Sequence, residues 1–280
     1  MGRTLSPLRY PGGKTKLYKY TKKLIKNNDL VGCTYVEPFA GGCGLAIGLL
    51  HTNIVNNIIL NDIDRSIYAF WKTVLDRNEE LIEKIDTTPI TIDEWHKQKE
   101  IQDSKFDADL FELGFSTLFL NRTNFSGIIK AGPIGGHDQN GPNKLDCRFN
   151  KKDIIRKLKL IKAHREQIQF YNEDAIDFFN ILNELNHDNF FIFLDPPYFE
   201  NGPGLYTNFY TEEDHRNLAR HVSELNHNWI VTYDNVDKIK EIYQEYNFES
   251  KEYSLRYSAY NKYEGTEIMF YSNNLIPVNF

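Results

Sequence analysis

At 280 residues, 41% hydrophobic and 26% charged, the chain has the composition of a soluble globule with one large or two modest domains. It has no run of about 18 apolar residues and no signal-peptide pattern, which argues against a membrane span or secretion. Cys33, Cys43 and Cys147 are odd in number and lack ligand spacing, so a reducing, cytoplasmic setting is expected, without disulfides or a metal cluster. The net charge of −6 speaks mildly against a nucleic-acid partner, because phosphate binding rests on Lys and Arg. Its distribution reverses that reading. Residues 1–30 hold eight Lys and Arg against Asp29 alone, and residues 144–165 hold nine against Asp146 and Asp153. Two basic blocks on an acidic chassis can form a local electrostatic footprint, or can be plain solvated helix faces.

Tyr10-Pro11-Gly12-Gly13-Lys14 predicts a stiff turn before a basic amphipathic helix over roughly 15–27. Gly13-Lys14-Thr15 imitates the end of a phosphate-binding loop, but that motif needs a glycine where Leu8 stands. Thr34-Tyr35-Val36-Glu37 then reads as a strand. It enters the turn Gly41-Gly42-Cys43-Gly44, and Leu45 to Leu50 reads as a helix. Strand, glycine loop and helix open a nucleotide-binding sheet. A dinucleotide fingerprint would want a third glycine where Ile47 stands. Ile58-Ile59-Leu60-Asn61-Asp62-Ile63-Asp64 is a second strand ending in acid. Asp62, the first acid past the run, is placed to hold a ribose diol. Asp64 is read as the N-cap of a helix over 65–75.

Residues 76–112 are charged, with a coarse helical period, and lead into Phe115-Ser116-Thr117-Leu118-Phe119-Leu120. Asn121, Arg122, Asn124 and Lys130 follow, residue types that can address base edges or phosphates. Residues 130–150 are rich in Gly and Pro with little periodicity, and a loop of that length is usually functional or disordered. A basic helix is expected over 151–164. Gln167 to Ala175 returns to strand-then-acid, with Asp174 as either a cofactor contact or an N-cap.

Phe190-Phe191-Ile192-Phe193-Leu194 is a continuous apolar run, read as a strand buried on both faces of a parallel sheet. It stops at Asp195-Pro196-Pro197-Tyr198, a stiff loop at the strand's carboxyl end, where such sheets place ligands. Asp195 and the proline carbonyls are acceptors, and Tyr198 is a flat face. Together they suit a planar ring bearing an exocyclic amine. Beyond lie an aromatic loop to Tyr210, a helix capped by Thr211, a strand over Trp229 to Tyr233, the polar stretch Leu255 to Lys262 and a last strand, Glu267 to Tyr271. The Leu255–Lys262 stretch suits contact with distorted DNA, and a plain hairpin loop equally well.

Asp195-Pro196-Pro197-Tyr198 resembles the catalytic motif of amino-methyltransferases acting on DNA bases. Tyr-Pro-Gly-Gly-Lys resembles the amino-terminal motif of the DNA adenine methyltransferase (Dam) family. Glu37-Pro38-Phe39 before the glycines is similar to S-adenosylmethionine (SAM) enzymes. Asn121-Arg122 with Gly127 resembles the opening of the Dam recognition region. All occur in the family's order, while the loop after Gly127 departs from members that read GATC. The resemblance implies an α/β, Rossmann-like SAM-dependent methyltransferase sheet. Residues 1–75 and 169–280 would form the catalytic part and 76–168 a mainly helical target-recognition insert. It implies methyl transfer from SAM to N6 of a flipped-out adenine in double-stranded DNA, by a protein for which a monomer suffices. Asp195, Pro196 and Tyr198 would be catalytic. Tyr10, Lys14, Phe39, Gly41, Asp62, Asp174 and Asp195 would hold the cofactor, and Asn121, Arg122, Asn124 and Lys130 the DNA. N4-methylation of cytosine, a nicotinamide oxidoreductase and a non-catalytic DNA-binding protein are the other readings.

Overall fold

The computed structural model describes residues 4–10, 13–185, 189–200, 210–257 and 263–280, with the side chains of 255–257 and 263–264 outside that description. A seven-stranded sheet is its frame. The strands are β1 (Thr34–Glu37), β2 (Asn57–Asn61), β3 (Ile168–Tyr171), β4 (Phe190–Leu194), β5 (Asn228–Asp234), β6 (Glu249–Tyr257) and β7 (Tyr263–Tyr271). Their order is β3-β2-β1-β4-β5-β7-β6. The first five run parallel, and β7 lies antiparallel between β5 and β6.

The apolar run Phe190 to Leu194 becomes β4, buried at all five positions. Its alternation feeds both faces of the sheet. Phe191 and Phe193 join one core with Tyr35, Ile58 and Leu60, while Phe190, Ile192 and Leu194 join the other with Val36, Ile59 and Val231. β4 pairs with β1 on one side and β5 on the other, so the strand order reverses between β1 and β4. A crevice forms at the carboxyl ends of strands at such a reversal. Glu37 ends β1 there, and Asp195 follows β4.

The helices are α1 (Tyr18–Asn27), α2 (Gly44–His51), α3 (Arg65–Asp76), α4 (Asn78–Thr87), α5 (Ile92–Asp103), α6 (Leu110–Thr123), α7 (Lys151–Lys162), α8 (Ala175–Glu184), α9 (Glu212–Ser223) and α10 (Asp237–Gln244). The expected basic helix begins late: Lys14–Leu17 is a 3-10 turn, and α1 starts at Tyr18. Asp64 does cap α3, its side chain accepting from Ser66 N at 2.9 Å. Thr211 and Asp214 cap α9 reciprocally.

Between β2 and β3 the chain runs through α3 and then α4 to α7. The core of this segment, with Trp95, Phe115, Phe119 and Leu158, is continuous with the sheet face carrying Tyr35 and Phe193. Helix α6 is buried along nearly its whole length, and Gly114 explains how. A Cβ there would lie 2.4 Å from Thr73 Oγ1 and 2.6 Å from the Ala69 carbonyl, so only glycine lets α6 touch the α3 backbone. Residues 130–144 form a loop held by Gln139, whose amide donates to the Ile134 and Gly136 carbonyls and accepts from Leu145 N.

Strand β6 was not expected. Its sequence Glu-Ser-Lys-Glu-Tyr-Ser lacks an apolar run because it is the sheet's edge, where charged side chains guard unpaired backbone. The loop to Tyr210 lies largely outside the described residues, and so does most of the Leu255–Lys262 stretch.

Candidate active site

Asp195 emerges from the central strand into the crevice. Its Oδ1 accepts from Thr232 Oγ1 on β5 at 2.9 Å and lies 3.1 Å from Lys14 Nζ. The far end of the loop is clamped by Asp234, whose two oxygens accept from Phe199 N and Glu200 N at 3.0 Å each. Burial pushes the Asp195 carboxyl up to about 6, against the pull of the Lys14 ammonium, with the Glu267 charge adding to the rise.

Tyr198 is half-buried. Its hydroxyl accepts from Lys14 and donates to Glu267 Oε1 at 2.5 Å, and Lys14 Nζ stands 4.8 Å from its ring centre. Glu267, on β7 and 1% exposed, also accepts from the Tyr253 hydroxyl and lies 3.5 Å from Lys14 Nζ. Lys14, itself 8% exposed, therefore sits between two carboxylates and a phenol.

The cleft continues over the ends of β1, β2 and β3. Lys14, Phe39, Asp62, Ile63, Asp174 and Asp195 are among its lining residues. Asp62 accepts from Gly41 N through Oδ2 and from Asp64 N through Oδ1, each at 2.9 Å. Burial, and then the Asp64 charge, pushes its carboxyl up to about 7. Asn61 ties the three strand ends together, donating to the Pro38 and Glu173 carbonyls and accepting from Glu173 N. Asp174 is the expected N-cap of α8, through Ile176 N, and it also lines the cleft.

The glycine loop departs from its expected use. Gly41 has φ +47°, and a Cβ there would lie 2.6 Å from the Tyr10 ring; one on Gly42 would lie 2.7 Å from Tyr10 Cβ. These glycines admit the Tyr10 side chain, which packs directly on the loop. Trp71 Nε1 braces the loop from behind, donating to the Gly41 carbonyl at 2.9 Å.

A family model described as D12 class N6 adenine-specific DNA methyltransferase matches residues 10–257. The chain belongs to that family. It is 26% identical over 207 residues to the Type II methyltransferase M.MjaIII of Methanocaldococcus jannaschii, covering 68% of each chain. It is 24% identical over 272 residues to the Type II methyltransferase M.CviBI of Paramecium bursaria Chlorella virus NC1A, covering 93% of this chain and 95% of that protein. Among solved structures, a SAM-dependent methyltransferase from Agrobacterium tumefaciens is 10% identical, with a TM-score of 0.45 over 92% of this chain and 61% of that one.

This D12-class enzyme uses SAM, and its cleft fits a nucleoside cofactor on two observations. The Asp62 carboxylate lines the cleft with acceptor capacity beyond its two backbone donors. Beside it, Ile63 is 49% exposed, an uncovered apolar side chain suited to a flat ring.

The residues expected to read DNA are placed differently from one another. Lys130 is exposed. Asn121, Arg122 and Asn124 are buried. The Asn121 amide accepts from Arg9 N at 2.7 Å and donates to the Arg9 and Gly127 carbonyls at 3.0 and 2.8 Å. Arg122 donates to the Pro7 carbonyl, and burial followed by the Arg9 charge lowers its guanidinium to about 10. Asn124 accepts from the Trp95 indole at 2.6 Å and donates to the Ile128 and Ile129 carbonyls. Side chains turned inward onto backbone cannot also reach a base edge. In this conformation Asn121 and Asn124 brace residues 124–129, and Asn121 and Arg122 tie this segment to the chain before Tyr10.

The second basic block is also partly spent within the protein. Arg156 pairs with Asp153, Lys162 with Glu79 and Arg165 with Asp76, and Lys151 donates to the Asp86 and Thr88 carbonyls. Lys152 and Lys159 remain on the exposed face.

Glu267, Thr232, Asp234 and Asn61 were missed as site residues. A carboxylate at the head of the apolar run Ile268-Met269-Phe270 was the one signal available for the first of them.

Proposed function

We propose that Asp195 and the Pro196 carbonyl accept the two hydrogens of the adenine N6 amine, with the ring stacked on Tyr198. The observation that carries this is Asp195 itself, held by Thr232 at the carboxyl end of the central strand and opening on the cleft. The N6 lone pair is delocalised into the purine and is a poor nucleophile. Two acceptors on its hydrogens favour a tetrahedral nitrogen with the lone pair free, so orientation and electrostatics carry the catalysis. SAM supplies the electrophilic methyl group. Asp62 takes the ribose diol, and Tyr10, Phe39, Gly41, Asp174 and Lys14 shape the rest of the cofactor cleft.

The substrate DNA is a duplex. A duplex hides N6, so the adenine must leave the stack at a cost of a few kcal/mol. Stacking on Tyr198 returns about 1–3 kcal/mol. Residues 76–168 form the target-recognition part. Its DNA-facing groups are the exposed Lys130 and Phe125, with Lys152 and Lys159 positioned for phosphates. One copy suffices for this chemistry, and the setting proposed for it is the cytoplasm. Among the described residues no helix is long and apolar enough to cross a membrane.

The test is Asp195→Ala. Methyl transfer should vanish while the melting temperature and SAM binding stay near those of the parent. Retained turnover would remove Asp195 from the chemistry.

A further inference from the structure

We propose that Glu267 is a positioning residue that takes over the Lys14 ammonium when the substrate amine occupies Asp195. The inference rests on the reading of Asp195 as the amine acceptor. In the structure Lys14 Nζ is 3.1 Å from Asp195 Oδ1 and 3.5 Å from Glu267 Oε1. The ammonium and the incoming N6 amine need the same Asp195 carboxylate. A second carboxylate already within reach lets Lys14 shift by a small movement, without returning to water.

Charge balance gives the same answer. Asp195, Glu267 and Lys14 together carry one net negative charge when all are ionised. As the N6 lone pair is committed to the new carbon–nitrogen bond, the electrons of the broken carbon–sulfur bond stay with sulfur. The nitrogen becomes cationic until it passes a proton to the Asp195 carboxylate that already accepts its N–H. The site is then neutral. Without the Glu267 charge, two cations would compete for one buried carboxylate, an arrangement a low-dielectric site penalises heavily. Among the described residues, the remaining side-chain contacts of Glu267 are the hydroxyls of Tyr198 and Tyr253, which fix its two oxygens. No other part of the mechanism needs a full charge at this position on β7.

The test compares Glu267→Gln, Glu267→Asp, Lys14→Met and the double variant Lys14→Met/Glu267→Gln. The readouts are kcat and KM for DNA, SAM affinity by calorimetry, and thermal melting to set a temperature at which all are folded. Glu267→Gln keeps the shape and loses the charge. It should bind SAM within about threefold of the parent while kcat falls on the order of 100-fold, the usual loss for one preorganised electrostatic group. Glu267→Asp should recover part of that loss. The double variant should be little slower than Lys14→Met alone, because the two residues act as one unit. Parent-like kcat in Glu267→Gln, equal losses in the Gln and Asp variants, or fully additive losses in the double variant would each overturn the proposal. Activity surviving in Asp195→Ala would instead overturn the reading beneath it.

Discussion

Replacing Asn121 by alanine separates an internal brace from a base reader. Asn121 is 2% exposed and makes three hydrogen bonds to backbone, two to Arg9 and one to Gly127. At about 0.5–1.5 kcal/mol net for each bond, the change should destabilise the protein by about 3 kcal/mol. For a chain of this size each kcal/mol moves the melting temperature by about 2–4 °C, so a fall of about 6–12 °C is expected. Thermal melting by circular dichroism reads it directly. DNA affinity, measured well below the melting transition, should change less than it does for a residue in contact with DNA. The internal role would be refuted by an unchanged melting temperature together with relaxed sequence preference, the signature of a side chain that turns outward onto a base.

Asp62→Ala should weaken SAM binding by at least tenfold in calorimetry, through loss of the diol acceptor and of the tie to Gly41 N; unchanged affinity would move the diol to another acid. Asp195 has a carboxyl raised by burial to about 6, and the amine needs its ionised form. Methyl transfer should therefore fall as pH drops through about 6 and level off above it, and a flat profile from pH 5 to 8 would contradict that assignment. Lys130→Ala should weaken DNA binding and lower the slope of log affinity against log salt by about 1, as expected for one lost phosphate contact. An unaltered slope would place Lys130 away from the DNA.

Legibility in the sequence followed burial. The run Phe190 to Leu194 announced a central strand because five apolar residues in succession need cover on both faces of a sheet, and the carboxylate ending it lies at the cleft. Asp64 and Thr211 were legible as caps because capping is local chemistry. Strand β6 was not, since an edge strand is paired on one side only and needs no apolar run. Glu267 was hidden for a related reason: its partners, Lys14, Tyr198 and Tyr253, come from distant parts of the chain, and only the sheet brings them together. Asn121, Arg122 and Asn124 show the opposite hazard. Their residue types suit DNA, but types do not reveal direction, and the fold turns all three toward backbone carbonyls. The glycines of the 41–44 loop carried two messages, a ligand cleft and a seat for Tyr10, and only the first was readable without coordinates.

The decisive measurement is methyl transfer from labelled SAM to unmethylated duplex DNA, followed by nucleoside analysis. Label is expected in N6-methyladenine alone. Label in N4-methylcytosine, or none in DNA while SAM remains bound, would contradict it.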